Sequence, residues 1–427
     1  MLTRLVHLGL LLQKVPTGYL LLYDLIVLCV IALAIIRRRG FAGTLAWIFA
    51  IIAFPGLGVV AYLLLANPHV ARTRRAKRAA TRHFRRHRGA ASPAATADAE
   101  QDRSGRVDLP AVESSIARLA TRLSGIPAAD GNRAEILSSN VEAAARINEA
   151  LRGARRSIWA EYYMVKNDET GLGFLGLLAE RARAGIDVRL LYDAVGSWGI
   201  DSAALREIRQ AGGHVEVFLP VNPLRKHWAV HLRNHRKILV VDGSVAMTGG
   251  MNIGNEYSGS RGRSRQKPWR DTLLILHGPA AGQLGEVFAE DWSFATGSEE
   301  LLDVPKAAEA PEGRSLVAVL PSGPDQEANA NRLGYFAGIT SAVSRCFIAS
   351  PYFIPDGPTV RALVTAALRG VDVRVLVPAR NDIPLMGPAI RSYYSHLVRA
   401  GVRIYEYRLA MLHSKTMVVD GRWCLVG

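Results

Sequence analysis

The sequence predicts an α/β protein: two N-terminal transmembrane helices, then a duplicated α/β sandwich with pseudo-two-fold halves. Three observations predict it. Two long apolar runs stand near the N-terminus, a set of three sequence elements occurs twice in the same order, and helix and strand patterns alternate within each copy.

The first run, Tyr19 to Ile36, has 18 residues and one charge, and the second, Leu45 to Ala66, has 22 and none. A hydrocarbon core of about 30 Å takes about 20 apolar residues as helix, so each run is long enough to cross it. Arg37-Arg38-Arg39 separates them, which a single cleaved signal peptide does not explain. Pro55, Gly56 and Gly58 predict a kink or a re-entrant shape in the second run. Asp24 lies near one end of its run, where it can snorkel to the interface.

The charge follows the same map. The 427 residues carry 53 Lys and Arg against 37 Asp and Glu, a net +16, and residues 1–90 hold 14 of the cations and one acid. The remaining body is thus nearly neutral. A nucleic-acid reader spreads its cations through the folded domain, so no nucleic-acid partner is expected. Nine of the cations lie between Arg72 and Arg88, against three between the runs, which places the body on the cytoplasmic side. This flank either sits on anionic lipid or acts as a simple stop-transfer signal. Cys29, Cys346 and Cys424 are too few and too scattered for a disulfide scaffold or a Cys-rich zinc module.

Residues 89–110 are rich in Ala, Ser, Asp and Pro without periodicity and read as a flexible linker. The predicted layout is 1–70 membrane helices, 71–111 basic flank and linker, 112–300 first half, 301–314 connector and 315–427 second half. The segment from Ala179 through Gly185 to Tyr192 is echoed from Val364 through Gly370 to Val377, each a helix, a glycine stop and a strand. The strand near Val215 to Phe218 is answered near Val402 to Tyr405, and the segment His235 to Gly243 by His413 to Gly421.

That last element is His-x-Lys-x-x-x-x-Asp. Side chains alternate along a strand, so His235 and Lys237 share a face, as do His413 and Lys415. Asp242-Gly243 and Asp420-Gly421 are hairpin turn signals, which suits the two aspartates to turn-forming or structural work more than to direct chemistry. A histidine beside a lysine suits phosphate chemistry. The ammonium holds non-bridging oxygens while the imidazole attacks phosphorus or protonates a leaving oxygen. One copy is easily a surface hairpin; two matched copies point to two half-sites. No metal or cofactor is expected. His231 precedes His235 by four residues without a zincin Glu or an expected helix, and neither Gly171-Leu-Gly173 nor Gly249-Gly250 has the strand-GxGxxG-helix setting. Arg261, Arg263, Arg265, Lys267 and Arg270 suit either contact with lipid headgroups or a solvated loop, and the loop is the preferred reading.

With these elements the chain resembles the phospholipase D superfamily and, within it, the bacterial cardiolipin synthases. The paired His-x-Lys-x-x-x-x-Asp motif carries the superfamily resemblance. The resemblance continues through Glu161-Tyr-Tyr163, Gly249-Gly-Met-Asn-Ile-Gly254, Trp269-Arg-Asp271 and Pro321-Ser-Gly-Pro-Asp325, and the two apolar runs with Pro351-Tyr-Phe-Ile-Pro-Asp356 point to the synthase branch. The resemblance implies metal-free phosphatidyl transfer with phosphatidylglycerol as donor and acceptor, through a phosphohistidine, in the bacterial inner membrane. It implies His235 as nucleophile and His413 as general acid then base, the reverse remaining open. Lys237 and Lys415 would bind the phosphoryl oxygens with help from Asn252, and Asp271 would fix the tautomer of the nucleophilic histidine. Asp242 and Asp420 complete the motif. Protein partners are not implied.

After Asp420 the family continues through a Gly-Ser-x-Asn element and further strands, whereas this sequence stops at Gly427. The second half is therefore expected to be incomplete, lacking counterparts of Asn252 and Asp271. The competing readings are a phospholipase D-type hydrolase or phosphodiesterase, and an inactive truncated membrane protein.

Overall fold

The computed structural model describes residues 17–36, 41–54, 56–59, 62, 77, 79–81, 111–220, 233–259, 267–298, 312–323 and 330–427. The chain divides into two compact units, 1–72 and 73–427. The Arg37 to Arg39 turn, Pro55, most of the Arg72 to Arg88 run, the 89–110 linker, most of the connector, His231, Arg261, Arg263 and Arg265 lie outside the described residues.

In the first unit, α1 (Thr17–Ile36) and α2 (Phe41–Ala53) are apolar throughout their described faces and pack on each other. Val30, Ala34, Ile51, Val59 and Tyr62 form their buried cluster, and Trp47 meets Tyr62 edge-on at 5.3 Å. α2 has 13 residues, short of the roughly 20 that a crossing takes. Among the described residues no helix is long and apolar enough to cross a membrane. The described helices thus do not carry the two-span expectation.

The first half of the second unit comprises α3 (Ala111–Ser124), β1 (Ala129–Leu137), α4 (Asn140–Gly153), β2 (Ser157–Tyr162), α5 (Glu169–Arg183), β3 (Asp187–Asp193), α6 (Ser202–Gln210) and β4 (His214–Phe218). It continues with β5 (Lys237–Val241), β6 (Val245–Gly249), α7 (Asn255–Ser258), β7 (Leu273–His277), α8 (Pro279–Thr296) and β8 (Ser315–Val317). The second half comprises α9 (Ala330–Ser341), β9 (Arg345–Ala349), α10 (Gly357–Leu368), β10 (Asp372–Pro378), α11 (Met386–Arg391), α12 (Tyr394–Arg399), β11 (Arg403–Tyr407), β12 (Thr416–Val419) and β13 (Trp423–Val426).

The strands form two sheets, β4-β3-β2-β5-β6-β7-β1-β8 and β11-β10-β9-β12-β13. In each, the first three strands run parallel and the next joins antiparallel: β2 with β5, β9 with β12. Even the register repeats, since Ile158 opposes Val241 as Cys346 opposes Val419. The duplication read from the sequence is therefore a duplication of structure. β8, which the sequence assigns to the second half, bonds to β1 and extends the first sheet.

Parallel strands are covered on both faces and so read as apolar runs. All six residues of β2 are buried, and Val188, Leu190 and Leu191 of β3 are fully enclosed. α4, α5 and α6 build a continuous core on one face of the first sheet. α8 covers the other, with Phe288 stacked on Trp159 at 5.4 Å. α9 and α10 supply the equivalent core of the second half through Ile339, Ala362 and Leu363. Together these layers hold the starts of β5 and β12, where the two motifs lie.

Candidate active site

The two Asp-Gly turns come first, because they fix the strands that carry the histidines. Asp242 and Gly243 have φ of 53° and 70°, and Asp420 and Gly421 have 55° and 71°. Both central residues at positive φ is the turn that matches strand twist. Asp242 accepts hydrogen bonds from the backbone N–H of Arg155, Arg156 and Ser157 at 2.7–3.2 Å. Asp420 accepts those of Val343, Ser344 and Arg345 at 2.8–3.0 Å, plus the Ser344 hydroxyl at 2.9 Å. Burial opposes ionisation of Asp420, but these donors hold its carboxyl down at about 2. Each aspartate therefore clasps the loop entering its neighbouring parallel strand. They sit at the far end of a strand rising about 3.3 Å per residue, roughly 16 Å from the histidine end. In this structure both aspartates make turn and loop contacts, at the strand ends away from the histidines.

At the other ends of these strands the half-sites meet. Arg270 N–H donates to Met411 O and His413 N–H to Arg270 O, both at 2.8 Å, and Thr272 Oγ1 bonds Ser414 Oγ at 3.1 Å. The Trp269–Thr272 segment of the first half thus runs beside the His413 segment of the second. Arg270, expected in a solvated loop, forms this seam with its backbone.

The seam places Asp271 against His413: Nδ1 to Oδ2 is 2.7 Å, with both side chains buried. Asp271 was expected to orient the nucleophilic histidine, assigned as His235, and His413 was expected to lack such a carboxylate. The structure pairs Asp271 with His413 rather than His235, because the Trp-x-Asp segment crosses to the other half instead of folding back on its own. Among the described residues no carboxylate bonds the His235 ring. Gly250 makes the arrangement possible: a Cβ there would stand 2.2 Å from Asp271 Oδ1.

His235 rests face-on against Tyr163, ring centroids 3.9 Å apart, and Lys237 Nζ lies 5.2 Å above the same Tyr163 ring. Lys415 Nζ lies 2.9 Å from His413 Nδ1. Each His–Lys pair is thus brought together, as strand alternation requires. His235, Lys237, Lys415 and Tyr352 line one cavity of about 1080 Å³. Burial, then the Lys237, Lys415 and His413 charges, push the His235 ring down to about 4, leaving it neutral at pH 7. Burial also lowers His413, while its hydrogen bond to Asp271 works in the opposite direction. Burial brings Lys237 to about 7, with Lys415 adding to the effect, and brings Lys415 to about 8. An anion placed between the lysines would restore their protons.

Asn252 is buried next to this centre. Its Oδ1 accepts from Met164 N–H at 3.2 Å and its Nδ2 donates to Tyr257 Oη at 3.1 Å. Tyr257 Oη lies 3.5 Å from His413 Nδ1, so Tyr257 stands between Asn252 and the histidine. Tyr257, Trp269 and Tyr352 ring His413 at centroid distances of 5.8, 5.4 and 6.2 Å. Sequence reasoning gave these aromatics and Tyr163 no role. Tyr163, Trp269 and Tyr352 were visible only as parts of quoted motifs, and Tyr257 had no signal at all.

Paired His-x-Lys half-sites on a duplicated α/β body define the phospholipase D superfamily. The family model "Cardiolipin synthase, PLD-like domain" matches residues 147–292 and 335–427, and "Phospholipase_D-nuclease N-terminal" matches 26–67. A cardiolipin synthase of Geobacillus kaustophilus (strain HTA426) is 38% identical over 407 residues, 93% of this chain and 78% of that one. Another, from Geobacillus thermodenitrificans (strain NG80-2), is 37% identical over 401 residues, 92% of this chain and 77% of that one. Among solved structures, phosphatidylserine synthase of Haemophilus influenzae Rd KW20 shares the fold, with a TM-score of 0.50 at 18% identity over 72% of this chain and 81% of that one. The chain belongs to the cardiolipin synthase family and is an enzyme of the phospholipase D superfamily.

Proposed function

We propose that the protein makes cardiolipin and glycerol from two molecules of phosphatidylglycerol, with two phosphatidyl-transfer steps at one centre. The observation that carries this reading is the meeting of two His–Lys pairs of unlike environment, His235 stacked on Tyr163 with its ring neutral and His413 bonded to Asp271. In the first step His235 attacks phosphorus and the bond to the glycerol oxygen breaks. That oxygen takes a proton from Nε2 of His413, whose Nδ1 faces Asp271. In the second step His413 accepts the proton of the acceptor's hydroxyl, whose oxygen displaces His235 from phosphorus. Lys237 and Lys415 balance the charge on the non-bridging oxygens, and Asn252 acts through Tyr257 rather than on phosphate.

The same reading places the enzyme in the bacterial inner membrane on two N-terminal spans, residues 1–70. The 71–111 flank and linker, the two halves (112–300 and 315–427) and the connector (301–314) follow on the cytoplasmic side. The apolar runs and the cations after Arg72 support this, and anionic lipid suits a run of that charge. The test is incubation of membranes carrying the protein with phosphatidylglycerol labelled in its headgroup and acyl chains. Cardiolipin with one glycerol released per cardiolipin is expected. Phosphatidic acid with glycerol would show hydrolysis in place of transfer.

A further inference from the structure

The basic run between Arg72 and Arg88 reads as a surface flank, yet Lys77 is only 5% exposed. Its Nζ lies 2.8 Å from Asp291 Oδ1, 5.1 Å from the centroid of the Phe218 ring and 6.0 Å from that of Phe294. Four residues on, the Thr81 hydroxyl donates to Glu290 Oε1 at 2.6 Å. The segment that follows the N-terminal unit in the chain is therefore fastened to α8.

Asp291 reaches onward to His235. Its other oxygen accepts from Arg236 Nη1 and, at 3.3 Å, from Asn234 Nδ2. These are the two residues that flank His235. Asn234 Nδ2 also bonds Glu161, Asn234 Oδ1 accepts from Arg236 N–H at 3.0 Å, and Arg236 O accepts from Tyr163 N–H at 3.1 Å. Glu161 and Tyr163 belong to one strand end, and Tyr163 is the ring on which His235 lies. Burial works against charge on Asp291, but Arg236 and Lys77 outweigh it and keep the carboxyl low. Burial and the Asp291 charge push Glu161 well up.

A buried pair of this kind is a poor device for stability. Desolvating the charges costs about as much as their attraction returns, and an apolar residue of similar volume often serves as well. What the network supplies is geometry on both sides of one imidazole.

We propose that Lys77 is a positioning residue: through Asp291 it locks Asn234 and Arg236, and so sets the place of His235 for attack on phosphorus. The segment after the N-terminal unit then controls the rate of phosphohistidine formation without touching substrate. This rests on His235 as the nucleophile. The experiment compares the wild-type protein, Lys77→Met and Lys77→Arg in membranes, following the first burst of glycerol release from phosphatidylglycerol. Wild-type label recovered on the His235 peptide tests the nucleophile reading, and the ratio of variant to wild type tests the positioning role. Lys77→Met is expected to slow the burst about tenfold with KM within about twofold, and to lower the melting temperature, because Asp291 stays buried with one cation fewer. Lys77→Arg is expected to recover most of the rate. At a temperature where both proteins remain folded, a Lys77→Met burst as fast as wild type overturns the proposal, and so does a loss seen as a smaller burst amplitude at the wild-type rate.

Discussion

Replacing Asp271 by Asn keeps the shape of the pair with His413 and removes its charge. The atoms are 2.7 Å apart, and the side chains are 9% and 0% exposed for His413 and Asp271. Unit charges about 4 Å apart at an effective dielectric near 20 attract by about 4 kcal/mol. Removing that charge takes away what opposes burial at His413, so the imidazolium, the acid that must be protonated to release glycerol, is populated less. An amide N–H facing Nδ1 also favours the wrong tautomer, and the comparable change in a serine protease triad costs about 10⁴ in kcat. Glycerol release from phosphatidylglycerol should fall between about 10² and 10⁴-fold in kcat, with KM nearly unchanged. The informative control is a phosphatidyl ester of p-nitrophenol, a leaving group that needs no acid. Asp271→Asn should retain most of the wild-type first-step rate on that donor. Equal losses on both donors, or activity on phosphatidylglycerol within about fivefold of wild type, would refute the assignment of Asp271 and His413.

Three further predictions follow from the same geometry. Gly250→Ala should reproduce the Asp271→Asn phenotype in a folded protein, because its Cβ would fall 2.2 Å from Asp271 Oδ1; wild-type kinetics for this variant would count against the close approach. Since kcat/KM reports the free enzyme, it should rise with pH through about 4 as His235 loses its proton. It should fall through about 7 and then about 8 as Lys237 and Lys415 lose theirs, and a flat profile from about pH 6 to 9 would argue against them as phosphate holders. Asp420→Ala strips three backbone N–H groups of their acceptor and should cost about 2–3 kcal/mol, lowering the melting temperature by roughly 5–10 °C. An unchanged melting temperature with abolished turnover would return Asp420 to the chemistry.

The parts of this fold that were legible in the sequence are those that local chemistry writes down. Asp-Gly predicts the two hairpins, and strand alternation puts Lys237 with His235 and Lys415 with His413. Duplication was visible because Gly185 and Gly370 end matching helices before matching strands. The partner of Asp271 was not legible, since a residue 142 positions away is reached only by the path of a loop between halves. Tyr257 was invisible for the same reason. Lys77 was misread because a cation in a basic run carries no mark that Asp291, Phe218 and Phe294 form its receptacle.

The crossed bond from Asp271 to His413 also bears on how such a body diverges after duplication. Two identical halves would offer two interchangeable imidazoles. Here the basicity of the second copy's imidazole depends on a carboxylate of the first, so the second copy does not drift alone. Selection on one linked pair can separate an attacking base from a proton donor while the surrounding scaffold stays symmetric. The contact that joins the halves is thus also the one that makes their two imidazoles unequal.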